Sequence, residues 1–208
     1  SYYLGNWPPP LGIEYVIDRI SIIPIMIVSV IGLIATLFAH NFFTLEIDEK
    51  LVSKTYSLWL LTIAGLIGLI TTADAFNLFV FLEISSLSAV ALVALGSKVD
   101  RKALVAGYNY LILGAVGATF YVIGVGLLYG VTGTLNMGDL AQKIPALGLN
   151  KSVIVAFTFM MLGIMVKAAV FPLHIWLPNA YAYAPSPVSV LLAATATKVS
   201  IYIIVRIS

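Results

Sequence analysis

Glu83 stands in the run FNLFVFLEISSLSAVAL, Lys167 in MMLGIMVKAAVF and Lys198 in LLAATATKVSIYIIV. A carboxylate and two amines take up and release protons, yet each of these is surrounded by residues that avoid water. Counted at 1.5 Å per helical residue, Glu83 lies about 13 Å beyond Asp74, which caps the preceding turn. Lys167 lies roughly 22 Å beyond the polar start at Ser152. Lys198 lies about 16 Å from Pro187 and about 12 Å from Arg206. Facing lipid, each would cost roughly 2.5 to 3.5 kcal/mol on insertion scales, so each is expected to face a bundle interior, a partner or a file of water. A lysine whose proton affinity depends on whether Glu83 or another charge is close is a switchable proton carrier. The plainer alternatives are a structural ion pair for Glu83 and snorkelling to an interface for the two lysines.

The stretch after Lys167, KAAVFPLHIWLP, carries Pro172 and Pro178. Pro172 has no backbone N–H, and the reading predicts a broken helix in which the Ala168 carbonyl, beside the lysine, is freed. Broken helices at membrane depth are tolerated where backbone lines a polar cavity. His174, two residues beyond Pro172, has the unperturbed pKa nearest neutrality and is a candidate relay; a purely structural hydrogen-bonding role is the alternative. Ser186 is expected to cap the next helix, with Pro187 in its first turn. The tyrosines and tryptophans are read mostly as packing or interfacial anchors, and Gly124 and Gly126 as sites of close helix contact.

Positioning these groups takes long apolar helices. With about 20 residues needed per crossing, six segments qualify, near 17–39, 57–73, 76–95, 103–129, 152–170 and 187–206. The expected fold is all-α, a polytopic transmembrane helix bundle forming one transmembrane domain over 1–208. Asn41 to Lys54, with Glu46, Asp48, Glu49, Lys50 and Lys54, is expected to be a water-facing loop. Val131 to Lys151 reads as a surface loop or short surface helix. Lys50, Lys54, Lys98, Arg101 and Lys102 collect on one side, expected to be cytoplasmic, and Arg19, Lys143, Lys151 and Arg206 on the other.

Composition agrees. The chain of 208 residues is 61% hydrophobic and only 10% charged, where soluble domains carry about a quarter charged residues. Mean hydropathy is +1.06. A net charge of +2 without a basic block excludes a nucleic-acid partner. With no cysteine there is no disulfide, thiolate metal site or iron–sulfur ligand set, and no nucleotide-binding or hydrolase motif is present. No cofactor or metal is expected, and any redox chemistry is assigned to another subunit. Tyr2 to Pro10 lacks the charged start of a signal peptide, and without an initial methionine the chain is expected to begin inside something longer.

The stretches VKAAVFPLHIWLPNAYAYAPSPVSVLLAATATKVSIYIIVRI, FNLFVFLEISSLSAVAL and GNWPPPLGIEYVIDRIS resemble the antiporter-like subunits of respiratory complex I, Mrp-type sodium/proton antiporters and membrane-bound hydrogenases. The wording is most similar to the D-type component of Mrp antiporters and its relatives in archaeal membrane-bound hydrogenase or sulfur-reducing complexes. The resemblance implies roles. Glu83 falls on the carboxylate of the family's fifth helix, Lys167 on the lysine of its broken seventh helix, and Lys198 on the lysine of its eighth, with His174 and Pro172 in the linking motif. In the family these groups form a charged axis at mid-membrane, gated by the pair matching Glu83 and Lys167. Family members have about fourteen helices with two inverted five-helix repeats; here one repeat and one further helix are expected, as part of a longer chain.

The expected activity is proton, or sodium/proton, translocation by a membrane subunit that is not an enzyme on its own. Its expected partners are the lipid bilayer, other membrane subunits and a redox module or sodium gradient, in a prokaryotic cell membrane. The alternatives are a stand-alone secondary transporter and a non-conducting structural subunit. A quinone-reducing enzyme is least supported, since nothing here binds flavin or clusters.

Overall fold

Asp18 closes the turn that leads into the first helix with a reciprocal pair of hydrogen bonds. Its Oδ1 accepts hydrogen bonds from the Ile20 and Ser21 N–H groups (3.0 and 2.8 Å), while Ser21 Oγ accepts from the Asp18 N–H (2.7 Å). This is seen in a computed structural model that describes residues 1–148 and 150–208. Helix α1 then runs Ile22–Glu46, α2 Glu49–Thr71, α3 Ala75–Ala94, α4 Lys102–Thr132, α5 Met137–Leu147, α6 Lys151–Lys167, α7 Trp176–Tyr183 and α8 Ser186–Ile207. Two-residue strands β1 (Tyr2–Tyr3) and β2 (Glu14–Tyr15) form an antiparallel pair that an all-α reading omits.

Two boundaries differ from expectation. The first helix begins at Ile22 instead of Ile17, because the Asp18–Ser21 hydrogen bonds fold 18–21 into a turn. The charged segment expected as a loop is almost wholly helical, with only 47–48 between α1 and α2. Charges bar a segment from hydrocarbon but do not unwind it: a helix satisfies its own backbone and can project into the headgroup layer. At 25 residues, α1 is about 37 Å long, against a hydrocarbon core of about 30 Å. Lys98 Nζ donates to the Ile47 carbonyl (2.9 Å) and holds this end of α1.

The opposite end is closed by the N-terminal hairpin. The Val16 N–H donates to the Thr71 carbonyl and the Ala73 N–H to the Glu14 carbonyl, both at 2.8 Å. Asn136 Nδ2 donates to Glu14 Oε2 (3.2 Å). Arg206, in the last turn of α8, donates to the Ile70 carbonyl (2.6 Å) at the C-terminal end of α2. Among the described residues, α1, α2, α3 with its following 3₁₀ turn, α4 and α8 are long and apolar enough to cross a membrane. Helix α6, with 17 residues, is about 25 Å long.

Close helix contact is concentrated between α4 and α6. A Cβ on Gly124 would stand 2.5 Å from the Ala156 carbonyl oxygen, and one on Gly163 2.4 Å from that of Gly117. Gly126 meets nothing within 4 Å, so of the two glycines expected at a contact only Gly124 makes one. Buried apolar side chains form two clusters. One includes Leu69, Leu82, Tyr121 and Ile164; the other includes Phe43, Trp59, Tyr110, Trp176 and Leu191. The candidate site lies where they meet.

Candidate functional site

Lys167 is the last residue of α6, and the way α6 ends positions it. The Val170 N–H donates to the Met165 carbonyl (3.1 Å) and the Ala169 N–H to the Val166 carbonyl (3.2 Å), with Ala169 at φ 53°. This is a Schellman ending with alanine in the left-handed position usually given to glycine. The helix has therefore stopped before Pro172, which lies in the following turn. The break predicted at Pro172 is made instead by Ala169. Pro178 breaks nothing either: it is the third residue of α7, where helix N–H groups have no intrahelical partner to lose. Trp176 ties the connection back, its Nε1 donating to the Val166 carbonyl (3.0 Å) and its ring stacked on Tyr110 at 4.2 Å and 8°. Trp176 is thus more than the packing residue read from sequence.

The Lys167 side chain is 8% exposed. Its Nζ donates to Ser86 Oγ of α3 at 2.6 Å. Gly114 of α4 makes room for that bond, since a Cβ there would stand 3.1 Å from Lys167 Nζ and 3.2 Å from Ser86 Oγ. Beside them lies a cavity of about 30 Å³ whose polar lining comes from Thr62, Ser85, Ser86, Tyr110, Lys167 and Ser200. A water needs roughly 10–15 Å³ of such space, so the cavity has room for one or two. Thr62 Oγ1 donates to Ser88 Oγ (2.8 Å) next to it. The site is a hydroxyl-lined polar layer between two apolar clusters, drawn from α2, α3, α4, α6 and α8.

Glu83 lies one turn before Ser86 on α3. Its Oε1 is buried and has no hydrogen-bond partner. Among the described residues the one ion pair within 4.0 Å joins Lys143 and Asp139 of α5 (3.0 Å). Glu83 and Lys167 therefore make no ion pair within 4.0 Å. Lys198 is on the exposed face of α8, its Nζ donating to the Ala193 carbonyl. Ser200, two residues on and about 200° around the helix, is the one that faces the cavity. Lys198 thus points away from this chain's own interior. His174 is half-buried, with its ring 5.6 Å from Phe171 and its Nδ1 buried without a partner. It does not line the Lys167 cavity.

Sequence reasoning did not single out Ser86, Gly114, Thr62 or Ser88. The available signal was the cluster of hydroxyls in EISSLS just after the buried acid. It also took Ser186 for an N-cap. Ser186 is the first residue of α8, and its N–H and Oγ both donate to the Glu46 carboxylate at 2.6 Å; the acid from α1 does the capping. Outside the membrane helices, burial raises the Asp74 carboxyl above the ordinary value, opposed by backbone hydrogen bonds from Asn77 and Phe76. The backbone N–H of Ser21 lowers that of Asp18.

The family model for the NADH:quinone oxidoreductase/Mrp antiporter transmembrane region matches residues 72–208. The chain is 48% identical over 206 residues to NADH-quinone oxidoreductase subunit N of Desulforudis audaxviator, covering 99% of this chain and 40% of that protein. It is 38% identical over 216 residues to the D-type component of a probable K(+)/H(+) antiporter of Rhizobium meliloti, covering 99% and 37%. A chain in the structure of the archaeal membrane-bound sulfane sulfur reductase superposes with a TM-score of 0.89 at 38% identity, covering 99% of this chain and 41% of that one. The chain thus spans about two fifths of the length of these relatives.

Proposed function

The chain belongs to the NADH:quinone oxidoreductase/Mrp antiporter transmembrane family, and we propose that it carries protons within an antiporter-like membrane subunit of a larger energy-converting complex. It is an integral membrane protein with five helices fit to span a bilayer. In this reading α6, though short, is a sixth crossing, and the bundle holds one of two inverted repeats. The broken α6–α7 connection is then the family's broken helix. The membrane is that of a prokaryotic cell, and the driving force comes from a redox partner or a cation gradient on other subunits.

One observation carries the proposal: the Lys167 amine is buried inside the helix bundle, hydrogen-bonded to Ser86, beside a hydroxyl-lined cavity large enough for water. A purely structural lysine gains nothing from that surrounding. Hydroxyls both donate and accept, so Thr62, Ser85, Ser86 and Ser200 suit a hydrogen-bonded file that passes protons to and from the amine. Glu83 supplies a negative charge near one side of Lys167. On the other side, beyond Ser200, Lys198 on the outer face of α8 offers the next station toward a partner. His174 is the candidate relay at the break. An ammonium cannot ligate a metal cation, which favours the proton as the ion handled here.

The test is Lys167→Arg in the intact complex, with proton movement followed in proteoliposomes. Arginine keeps the positive charge but does not release its proton. Assembly with loss of proton movement is expected. Transport at the wild-type rate would mean that a fixed cation suffices, and the carrier role fails.

A further inference from the structure

We propose that Lys167 has two stations on α3, Ser86 and Glu83, and that Ser86 with the notch at Gly114 forms the one at which the lysine is held off the acid. This inference deepens the reading of Lys167 as proton carrier and rests on it.

Three observations point to this. The ammonium donates to Ser86 at 2.6 Å and makes no ion pair with Glu83 within 4.0 Å. The carboxylate, meanwhile, has a buried oxygen with no hydrogen-bond partner, the kind of slot an ammonium would fill. Finally, the absence of a side chain at residue 114 leaves the place of Nζ uncrowded: a methyl there would lie 3.1 Å from Nζ and 3.2 Å from Ser86 Oγ, so that one of them would have to give by a few tenths of an ångström.

The stations are close enough to exchange. Ser86 follows Glu83 by three residues, about 4.5 Å along the helix and on nearly the same face. A lysine has a flexible four-carbon stem, so rotation about its side-chain bonds moves Nζ that far without moving α6. The stations differ in charge. At Glu83 the ammonium is stabilised by Coulomb attraction, and at Ser86 by a hydrogen bond to a neutral group facing the cavity. Moving between them makes or breaks the ion pair, and only at Ser86 is the amine held at the hydroxyl-lined file. Ser86 and Gly114 are positioning residues acting through Lys167.

The experiment uses the assembled complex with Ser86→Ala and, separately, Gly114→Ala. Proton movement in proteoliposomes is measured together with the infrared carboxylate band identified by its disappearance in Glu83→Gln. Removing a hydrogen bond to a charged group shifts the balance between stations on the order of tenfold or more. Proton movement is expected to fall about that much in Ser86→Ala and measurably, in the same direction, in Gly114→Ala, and the Glu83 band to shift in both as the lysine stays on the acid. Both changes together support the two stations; either one alone, or neither, overturns them. Gly114→Ala removes no polar group and raises helix propensity, so it decides the matter if Ser86→Ala does not assemble. Lys167→Met distinguishes the levels. If it stops proton movement while the two variants change nothing, the stations fail and the carrier role stands; if it transports normally, the carrier role fails.

Discussion

Ala169→Gly tests how α6 is brought to a stop beside its lysine. At φ 53° an L-residue in the left-handed region is less stable than in the right-handed one by roughly 1–2 kcal/mol. Glycine loses this penalty but has more freedom to surrender on folding, about 0.5–1 kcal/mol. The difference leaves Ala169→Gly more stable by on the order of 0.5–1 kcal/mol. Both Schellman hydrogen bonds at Val170 and Ala169 are retained, so the position of Lys167 and the transport rate are expected to stay the same. Ala169→Val places a β-branched residue in the same well and is expected to be less stable than wild type. Reversible unfolding in mixed detergent micelles reads the three proteins side by side. A glycine variant less stable than wild type, or a valine variant as stable as the glycine one, would refute the left-handed stop.

Glu46→Gln weakens the two 2.6 Å hydrogen bonds from Ser186 and is expected to lower stability by about 1 kcal/mol; an unchanged melting curve contradicts its capping of α8. Trp176→Phe keeps the stacking on Tyr110 but loses the bond to the Val166 carbonyl, with a loss of about 1 kcal/mol expected in the same unfolding assay. Because the Asp18 carboxyl is lowered from its ordinary 3.8, the stability it supplies is present above about pH 4 and disappears as pH falls through the lower folded value. Asp18→Asn should flatten that acid limb of a melting-temperature profile, and an identical limb would contradict a stabilising role for the Asp18–Ser21 turn.

The helix pattern was legible where apolar runs end at charges or prolines. The expected 76–95, 103–129 and 187–206 correspond to α3 at Ala75–Ala94, α4 at Lys102–Thr132 and α8 at Ser186–Ile207. It failed at Asn41 to Lys54, since hydropathy marks where hydrocarbon ends and not where a helix does. The stop at Ala169 was hidden for another reason: alanine at a left-handed position leaves no sequence signature, while the prolines nearby suggest a break of their own. Position within a helix was readable for Glu83 in α3 and Lys198 in α8, while Lys167 falls at the very end of α6; direction was not readable for any of them. Which face of α8 is covered depends on how α2, α3 and α6 pack, and that places Ser200 at the cavity and Lys198 outside. The Lys167–Ser86 bond joins residues 81 apart in sequence, and the space for it is supplied by Gly114 from a third helix, information that no local pattern contains.

The most direct measurement is the number of protons moved per turnover of the driving reaction, or per cation exchanged, in proteoliposomes holding the complex with Lys167→Met. The account predicts an assembled complex in which the proton count falls well below wild type. A proton count equal to that of the wild-type complex would contradict it.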